Sequence, residues 1–309
     1  PGVRHLSMPQ RLKRWPHLPM YEGTKVINPQ VMPEDQVNLT RQLTNRVTKF
    51  IGEHHDEPFF VYFPSPQPHV PLFASDDFQG TTPRGLFGDV ISEIDWAVGR
   101  ILQSLQEHGI DEKTCLVFTS DNGPWLRLKK KEDAGCALPL RDGKFTTWEG
   151  GMRMPCIMRG PAKIAAGKEC NEVAGTIDML PTLAILMGGA APTDRVIDGK
   201  DIWPLMAGKD DAASPHEYYF YYRGTTLETV RKGKWKLRQA TSRLSKKEKM
   251  QEKKPRKGKP ELFDLETDIS ETTNLADKHP ELVKELQQAI KEFDKELREN
   301  SRPAARLVK

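Results

Sequence analysis

The sequence predicts an α/β protein: a mostly parallel sheet flanked by helices, followed by a small C-terminal α+β subdomain of antiparallel sheet plus helix. Three observations carry this. Two short apolar runs, Phe59 to Phe63 and Cys115 to Thr119, are separated by a long amphipathic stretch, the strand–helix–strand order of a right-handed crossover. After about residue 209 the chain turns to short aromatic and aliphatic runs separated by turn signals. Finally, 309 residues that are 37% hydrophobic and 29% charged suffice for one large domain and a smaller one, divided here as 1–209 and 210–309.

The elements follow in order. Pro9, Pro16, Pro19, Pro29 and Pro33 make the start an irregular connection. Leu39, Leu43, Val47 and Phe50 or Ile51 recur at helical spacing up to Gly52. Phe59-Phe60-Val61-Tyr62-Phe63, bracketed by Pro58 and Pro64, has the pattern of a buried strand in a parallel sheet. Leu86, Val90, Ile94, Val98, Ile101 and Leu105 then form the apolar face of a long helix that ends near Gly109. Cys115 to Thr119 is the second buried strand and runs into Ser120-Asp121-Asn122-Gly123; Met154 to Met158 is a third candidate. Asp178 opens a helix through Leu186 that stops at Gly188-Gly189. Tyr218 to Tyr222, Leu227 to Val230, Lys234 to Leu237 and Glu261 to Leu265 read as an antiparallel meander. A last helix starts at Pro280 and carries Leu282, Leu286, Ile290, Phe293 and Leu297 along one face.

Composition excludes several classes. No stretch approaches the roughly 18 uncharged apolar residues of a bilayer span. Cys115, Cys136, Cys156 and Cys170 form no C-x-x-C pair, so no structural zinc site is expected. The net charge of +4 is local in origin, because residues 241–259 alone carry +7 and the remainder sums to about −3. That segment has no aromatic residues interleaved with its lysines, which argues for a solvated loop and against nucleic-acid binding.

Three clusters can carry chemistry. Asp121-Asn122-Gly123 offers a carboxylate and an amide oxygen, hard donors suited to Ca²⁺ or Mg²⁺, with a glycine to permit a sharp turn; the same pattern is also that of an ordinary turn. His69 lies in the stiff loop Pro64-Ser65-Pro66-Gln67-Pro68-His69-Val70-Pro71, where an imidazole can donate a proton to a leaving group or be a plain surface histidine. Lys144, in Arg141-Asp142-Gly143-Lys144-Phe145-Thr146-Thr147-Trp148-Glu149-Gly150-Gly151, can meet a tetrahedral oxyanion as a point charge. In a parallel sheet, ligands sit beyond the carboxyl ends of strands, which would put the residues after Phe63 and after Thr119 on one rim.

Together, FFVYFPSPQPHVPL, RGLFGDVISEIDWAVGRILQSL, CLVFTSDNG, LRDGKFTTWEGGMRMPCI, TIDMLPTLA, VRKGKWKL and ELFDLETDISETTNLA resemble the sulfatase family, most closely its arylsulfatase A-like branch, over about Tyr21 to Leu275. The resemblance implies an alkaline-phosphatase-like fold, incomplete at its N-terminus, and sulfuric ester hydrolysis. It implies that Asp121 and Asn122 are the second pair of ligands to a divalent cation, calcium ahead of magnesium. It further implies that His69 contacts the sulfate ester and protonates the departing alcohol, and that Lys144 binds the sulfate oxygens. Thr147, Trp148, Glu149 and Gly150, with Asp95 and Asp178, match structural positions.

The family's nucleophile is a formylglycine made within C/S-x-P-S-R, and no cysteine or serine here has that continuation. The expectation is a C-terminal portion, inactive alone, whose nucleophile and first ligand aspartates lie upstream together with any signal peptide. Asp142 and Phe145 depart from the family pattern, and a carboxylate beside Lys144 bears on its electrostatics. The implied partner is a sulfate-ester small molecule or sulfated glycan, and the implied location is periplasmic, extracellular or lysosomal. Two other readings stay open: a phosphate-ester or phosphonate hydrolase of the same superfamily, and a non-catalytic module that binds sulfated glycans through 241–259. Oligomeric state is not indicated.

Overall fold

The computed structural model describes residues 17–126, 135–239 and 259–302, in two compact units. One comprises residues up to 111; the other takes in 112–126, 135–239 and 259–302.

In the first unit the start of the chain is more ordered than its prolines suggest. Strands β1 (Met20–Glu22) and β2 (Lys25–Asn28) form an antiparallel hairpin, with Gly23 at φ 58° supplying the left-handed residue its two-residue turn needs. Helix α1 (Pro33–Val37) leads into α2 (Leu39–Glu53), and the long α3 (Gly85–Glu107) follows. The α2 face that is fully buried is Thr40, Thr44 and Ile51; the Thr44 hydroxyl satisfies itself on the Thr40 carbonyl at 2.8 Å.

Phe59 to Phe63 belongs to no strand or ladder among the described residues, and Phe60 and Tyr62 are 67% and 78% exposed. The expected buried strand is thus corrected. Prolines at both ends remove ladder donors, and no sheet face covers the two aromatic side chains. Among the described residues every strand pair is antiparallel.

In the second unit β3 (Leu116–Thr119) pairs with β4 (Cys156–Arg159), antiparallel, with Thr119 opposite Cys156. The first was expected to be buried and the second only to be a strand, yet Phe118 is 36% and Ile157 64% exposed, because a two-stranded ladder covers little of its own surface. Short α4 (Glu149–Met152) precedes β4, and α5 (Met179–Leu186) and α6 (Trp203–Met206) follow it. Asp178 does more than open α5. Fully buried, it accepts the Gly175 and Lys200 amides at 2.7 and 2.8 Å and pairs with His216 Nε2 at 2.7 Å, tying three distant stretches together.

The C-terminal meander forms as expected. β5 (Tyr219–Arg223), β6 (Thr226–Lys232), β7 (Trp235–Arg238) and β8 (Glu261–Asp264) run antiparallel in sequence order, and α7 (Pro280–Asn300) packs on one face. Leu227, Val230, Leu237 and Leu262 meet Val283, Leu286 and Ile290 in a continuous core, with Phe220 stacked on Phe293 at 3.9 Å. Most of the basic segment 241–259 lies outside the described residues. All four cysteines are exposed and unpaired, and no helix of the described residues is long and apolar enough to cross a membrane.

Candidate functional site

The site in the second unit is assembled by backbone touching backbone. The Gly123 amide donates to the Gly151 carbonyl at 3.1 Å, the Lys144 amide to Pro124 at 2.9 Å and the Gly150 amide to Arg141 at 2.9 Å. A Cβ on Gly123 would lie 1.8 Å from the Gly150 oxygen; on Gly143, 2.2 Å from that of Pro124; on Gly150, 2.2 Å from that of Asp142. No side chain fits at any of these positions. The backbones of the Asp121-Asn122 turn, the Lys144 loop and the start of α4 are therefore locked together, although the turn and the loop lie far apart in sequence.

This corrects the reading of these glycines as turn residues. Gly123 and Gly143 are needed for close approach, and the left-handed conformations fall on Asp142 (φ 56°) and Phe145 (φ 75°), either side of Gly143-Lys144. Such strain in side-chain-bearing residues persists only where the surroundings over-determine it, and it clusters at functional sites.

Lys144 is half-buried, and among the described residues no carboxylate pairs with its Nζ, which stands 5.4 Å from the Phe145 ring centroid. An ammonium kept out of ion pairs is available to an anion. The Asp142 carboxylate accepts the Gly143 amide at 2.9 Å, so it helps shape the loop. Asn122 spends its amide nitrogen on the Gly123 carbonyl at 3.2 Å, which makes Oδ1 the ligand-capable atom, and Asp121 is exposed. By donor chemistry the pair suits a hard cation, supplying two of the 6–8 oxygens calcium takes. Among the described residues no three His, Cys, Asp or Glu converge as a self-sufficient metal site.

Behind the loop lies a buried ionic cluster that the sequence reading missed. Lys236, on β7 and fully buried, binds Glu149 at 2.8 Å and Glu271 at 2.7 Å. Glu271, itself at φ 53°, accepts the Glu149 amide at 2.7 Å, and its carbonyl accepts Arg141 Nη1 at 2.7 Å. Arg141 and Arg238 stack on the Trp148 ring at 3.6 and 4.3 Å, and the Thr147 hydroxyl donates to Glu228 at 2.9 Å. Burial pushes the Glu149 carboxyl up, but the charge and hydrogen bond of Lys236, with Arg231 behind it, outweigh burial and hold it below the usual glutamate value. At Glu271 burial wins over Lys236 and the carboxyl is raised. Thr147, Trp148, Glu149 and Gly150 are thus structural: they clamp residues 141–151 to the C-terminal sheet. The legible signal was a lysine within the apolar run Trp235 to Leu237, where a solvated strand face alone would not put Glu149 and Glu271 beside it.

His69 belongs to the first unit. Its ring is exposed, and Nδ1 lies 2.8 Å from the Val70 carbonyl. A carbonyl only accepts, so Nδ1 carries hydrogen and Nε2 is the ring nitrogen left for another partner. The loop beyond His69 is anchored to α3: Leu72 and Ala74 pack on Val90, Glu93 accepts the Ser75 amide at 2.9 Å, and Asp89 accepts the Gly80 and Thr82 amides at 2.9 and 3.0 Å. Burial raises the Asp89 carboxyl, but those hydrogen bonds outweigh it and its pKa is lowered.

A lysine with no carboxylate partner among the described residues, two hard oxygen donors and a rigid backbone cradle are the groups from which an oxyanion-binding site can be built. The chain matches the Sulfatase family model over residues 14–190 and the model of the C-terminal region of aryl-sulfatase over 214–307, and it belongs to the sulfatase family. It is 38% identical to human steryl-sulfatase over 213 residues, which is 68% of this chain and 36% of that protein. It is 38% identical to mouse N-acetylgalactosamine-6-sulfatase over 232 residues (72% and 44%) and 39% identical to an arylsulfatase of Hemicentrotus pulcherrimus over 212 (69% and 38%). The chain thus spans less than half the length of these relatives. A Bacteroides thetaiotaomicron structure described under the metabolism of multiple glycosaminoglycans superposes with TM-score 0.74 at 30% identity, covering 87% of this chain and 56% of that one. A Pseudoalteromonas sulfatase at 23% identity, TM-score 0.79 and coverage of 90% and 57%, shares the fold.

Proposed function

We propose that the whole protein hydrolyses sulfate monoesters and that these residues form the sulfate-binding half of its site. The observation that supports the proposal is the glycine interlock, which ties the backbone of the Lys144 loop to that of the Asp121-Asn122 turn in a chain of the sulfatase family. Asp121 and Asn122 would hold the divalent cation, calcium ahead of magnesium. When bound, that ion would supply charge neutralisation at the sulfate oxygens. Lys144 meets the sulfate as a fixed point charge on a loop that does not reorganise. His69 holds a proton at Nε2 and gives it to the alkoxide oxygen as the S–O bond breaks, so that the alcohol leaves neutral.

The nucleophile is proposed to be a formylglycine outside these residues. The chain by itself is then expected to bind sulfate esters without turning them over, and the whole protein to be exported. The relatives' names span steryl, N-acetylgalactosamine-6- and aryl substrates, and a sulfate ester is what they share. The test is sulfate release from aryl sulfates and sulfated sugars by a full-length form. Lys144→Ala and Asp121→Asn should each abolish release; no release from any ester by the unsubstituted protein, with its modified nucleophile verified, would sink the proposal.

A further inference from the structure

In the first unit the carboxyl ends of α2 and α3 meet, and a histidine follows each. The Ser104 hydroxyl of α3 donates to the Thr48 carbonyl of α2 at 3.5 Å, and Ile51 and Leu105, one on each helix, are buried. Beyond this contact the rings of His55 and His108 lie 5.1 Å apart, tilted by 46°. Both rings are held in the same way: His55 Nδ1 is 2.8 Å from the Gly52 carbonyl, and His108 Nδ1 is 2.7 Å from that of Ser104. Carbonyl oxygens are acceptors alone, so each Nδ1 carries hydrogen and each neutral ring presents its lone pair at Nε2. A hydrogen bond through the other nitrogen is how imidazoles that bind metal are oriented.

The surroundings favour a cation. Two imidazoles bound through nitrogen at about 2.0–2.1 Å and at a tetrahedral angle have their ring centres about 5 Å apart, which is the spacing of this pair. The negative ends of two helix dipoles converge here. Glu53, Asp56, Glu57, Glu107 and Asp111 flank the two histidines in sequence, and neither 52–57 nor 107–111 contains a lysine or arginine. Gly52 keeps the pair open, because a Cβ there would lie 3.1 Å from His108 Nε2.

We infer that His55 and His108 bind one divalent transition-metal ion of the zinc class through their Nε2 atoms, clipping the ends of α2 and α3 together. Neutral imidazole suits such a borderline metal, in contrast to the hard oxygen donors Asp121 and Asn122, which suit calcium. Among the described residues no three His, Cys, Asp or Glu converge on one ion, so water fills its remaining positions and the ion is exchangeable.

The experiment is titration of Zn²⁺ and, separately, Ca²⁺ into the full chain with its cysteines blocked by alkylation, following the histidine ring nitrogens by NMR. Zn²⁺ should move the Nε2 signals of His55 and His108 together, saturating at a single equivalent, and Ca²⁺ should leave them in place. His55→Gln and His108→Gln should each weaken Zn²⁺ binding by at least about tenfold, no less than the loss of a ligand's orienting partner costs. His54→Gln removes a neighbouring ring that is held by Glu57 instead, and should leave the affinity unchanged. Zn²⁺ should raise the Tm of the unsubstituted chain and of His54→Gln more than that of the other two variants. Movement of only one of the two rings, equal response from every histidine of the chain, or an affinity that survives His55→Gln or His108→Gln would overturn the site.

Discussion

Two lysines serve the same stretch of backbone, residues 141–151, in opposite ways. Lys236 is fully buried between Glu149 and Glu271, whereas Lys144 is half-buried and pairs with no carboxylate among the described residues. A charge taken out of water must be matched on the spot, so Lys236 is committed to the fold. A charge left partly in water can wait for a ligand, which is the role proposed for Lys144. The buried cluster fixes the loop, and the loop then presents an unpaired cation.

The contrast can be broken most severely at Lys236. Lys236→Met strands two buried carboxylates and should cost about 3–5 kcal/mol in urea unfolding; a cost near zero would mean the cluster does not hold the loop. Gly123→Ala follows, because its Cβ would strike the Gly150 oxygen. We expect about 1–3 kcal/mol of destabilisation together with loss of methyl sulfate binding, as the turn and the Lys144 loop are forced apart. Phe145→Gly should act in the other direction and raise stability by about 1 kcal/mol through relief of left-handed strain, readable as a higher Tm.

Acid pH sharpens the comparison further. The Glu149 carboxyl is lowered in the fold, so its stabilisation is present above the ordinary glutamate value of 4.5 and is lost as pH falls through the lowered value. Glu271 is raised, so its contribution is present below 4.5 and is lost as pH rises through the raised value. The two partly cancel on acidification. Glu271→Gln removes the compensating member, and unfolding midpoints measured from neutral pH downward should fall more steeply than in the unsubstituted chain. The smallest effect belongs to Lys144→Ala, which should shift stability by no more than about 0.5 kcal/mol while abolishing sulfate binding.

Much of the fold was legible because its signals are local. The periods of α2, α3 and α7 and the turn-punctuated strands β5 to β8 are written in neighbouring residues, and each formed within a few positions of its expected bounds. The Phe59 to Phe63 run misled because apolar character predicts burial only if something packs against it, and burial is not a property of five residues. The β1–β2 hairpin was overlooked for the converse reason: prolines dominated the composition while one Gly at position 23 set the turn.

The candidate site divides along the same line. The sequence by itself determined which side chains can carry the chemistry, a histidine in a stiff loop, an Asp-Asn pair after a strand and a lysine among glycines, because donor type and charge belong to the residue. Only the tertiary structure decided why those glycines are there and which lysine is free. Close approach of Gly123 to Gly150, and of Lys236 to Glu149 and Glu271, joins residues far apart in sequence, and no local pattern encodes a through-space distance. Burial then makes one of two chemically identical ammonium groups part of the scaffold and leaves the other partly in water, as its proposed role requires.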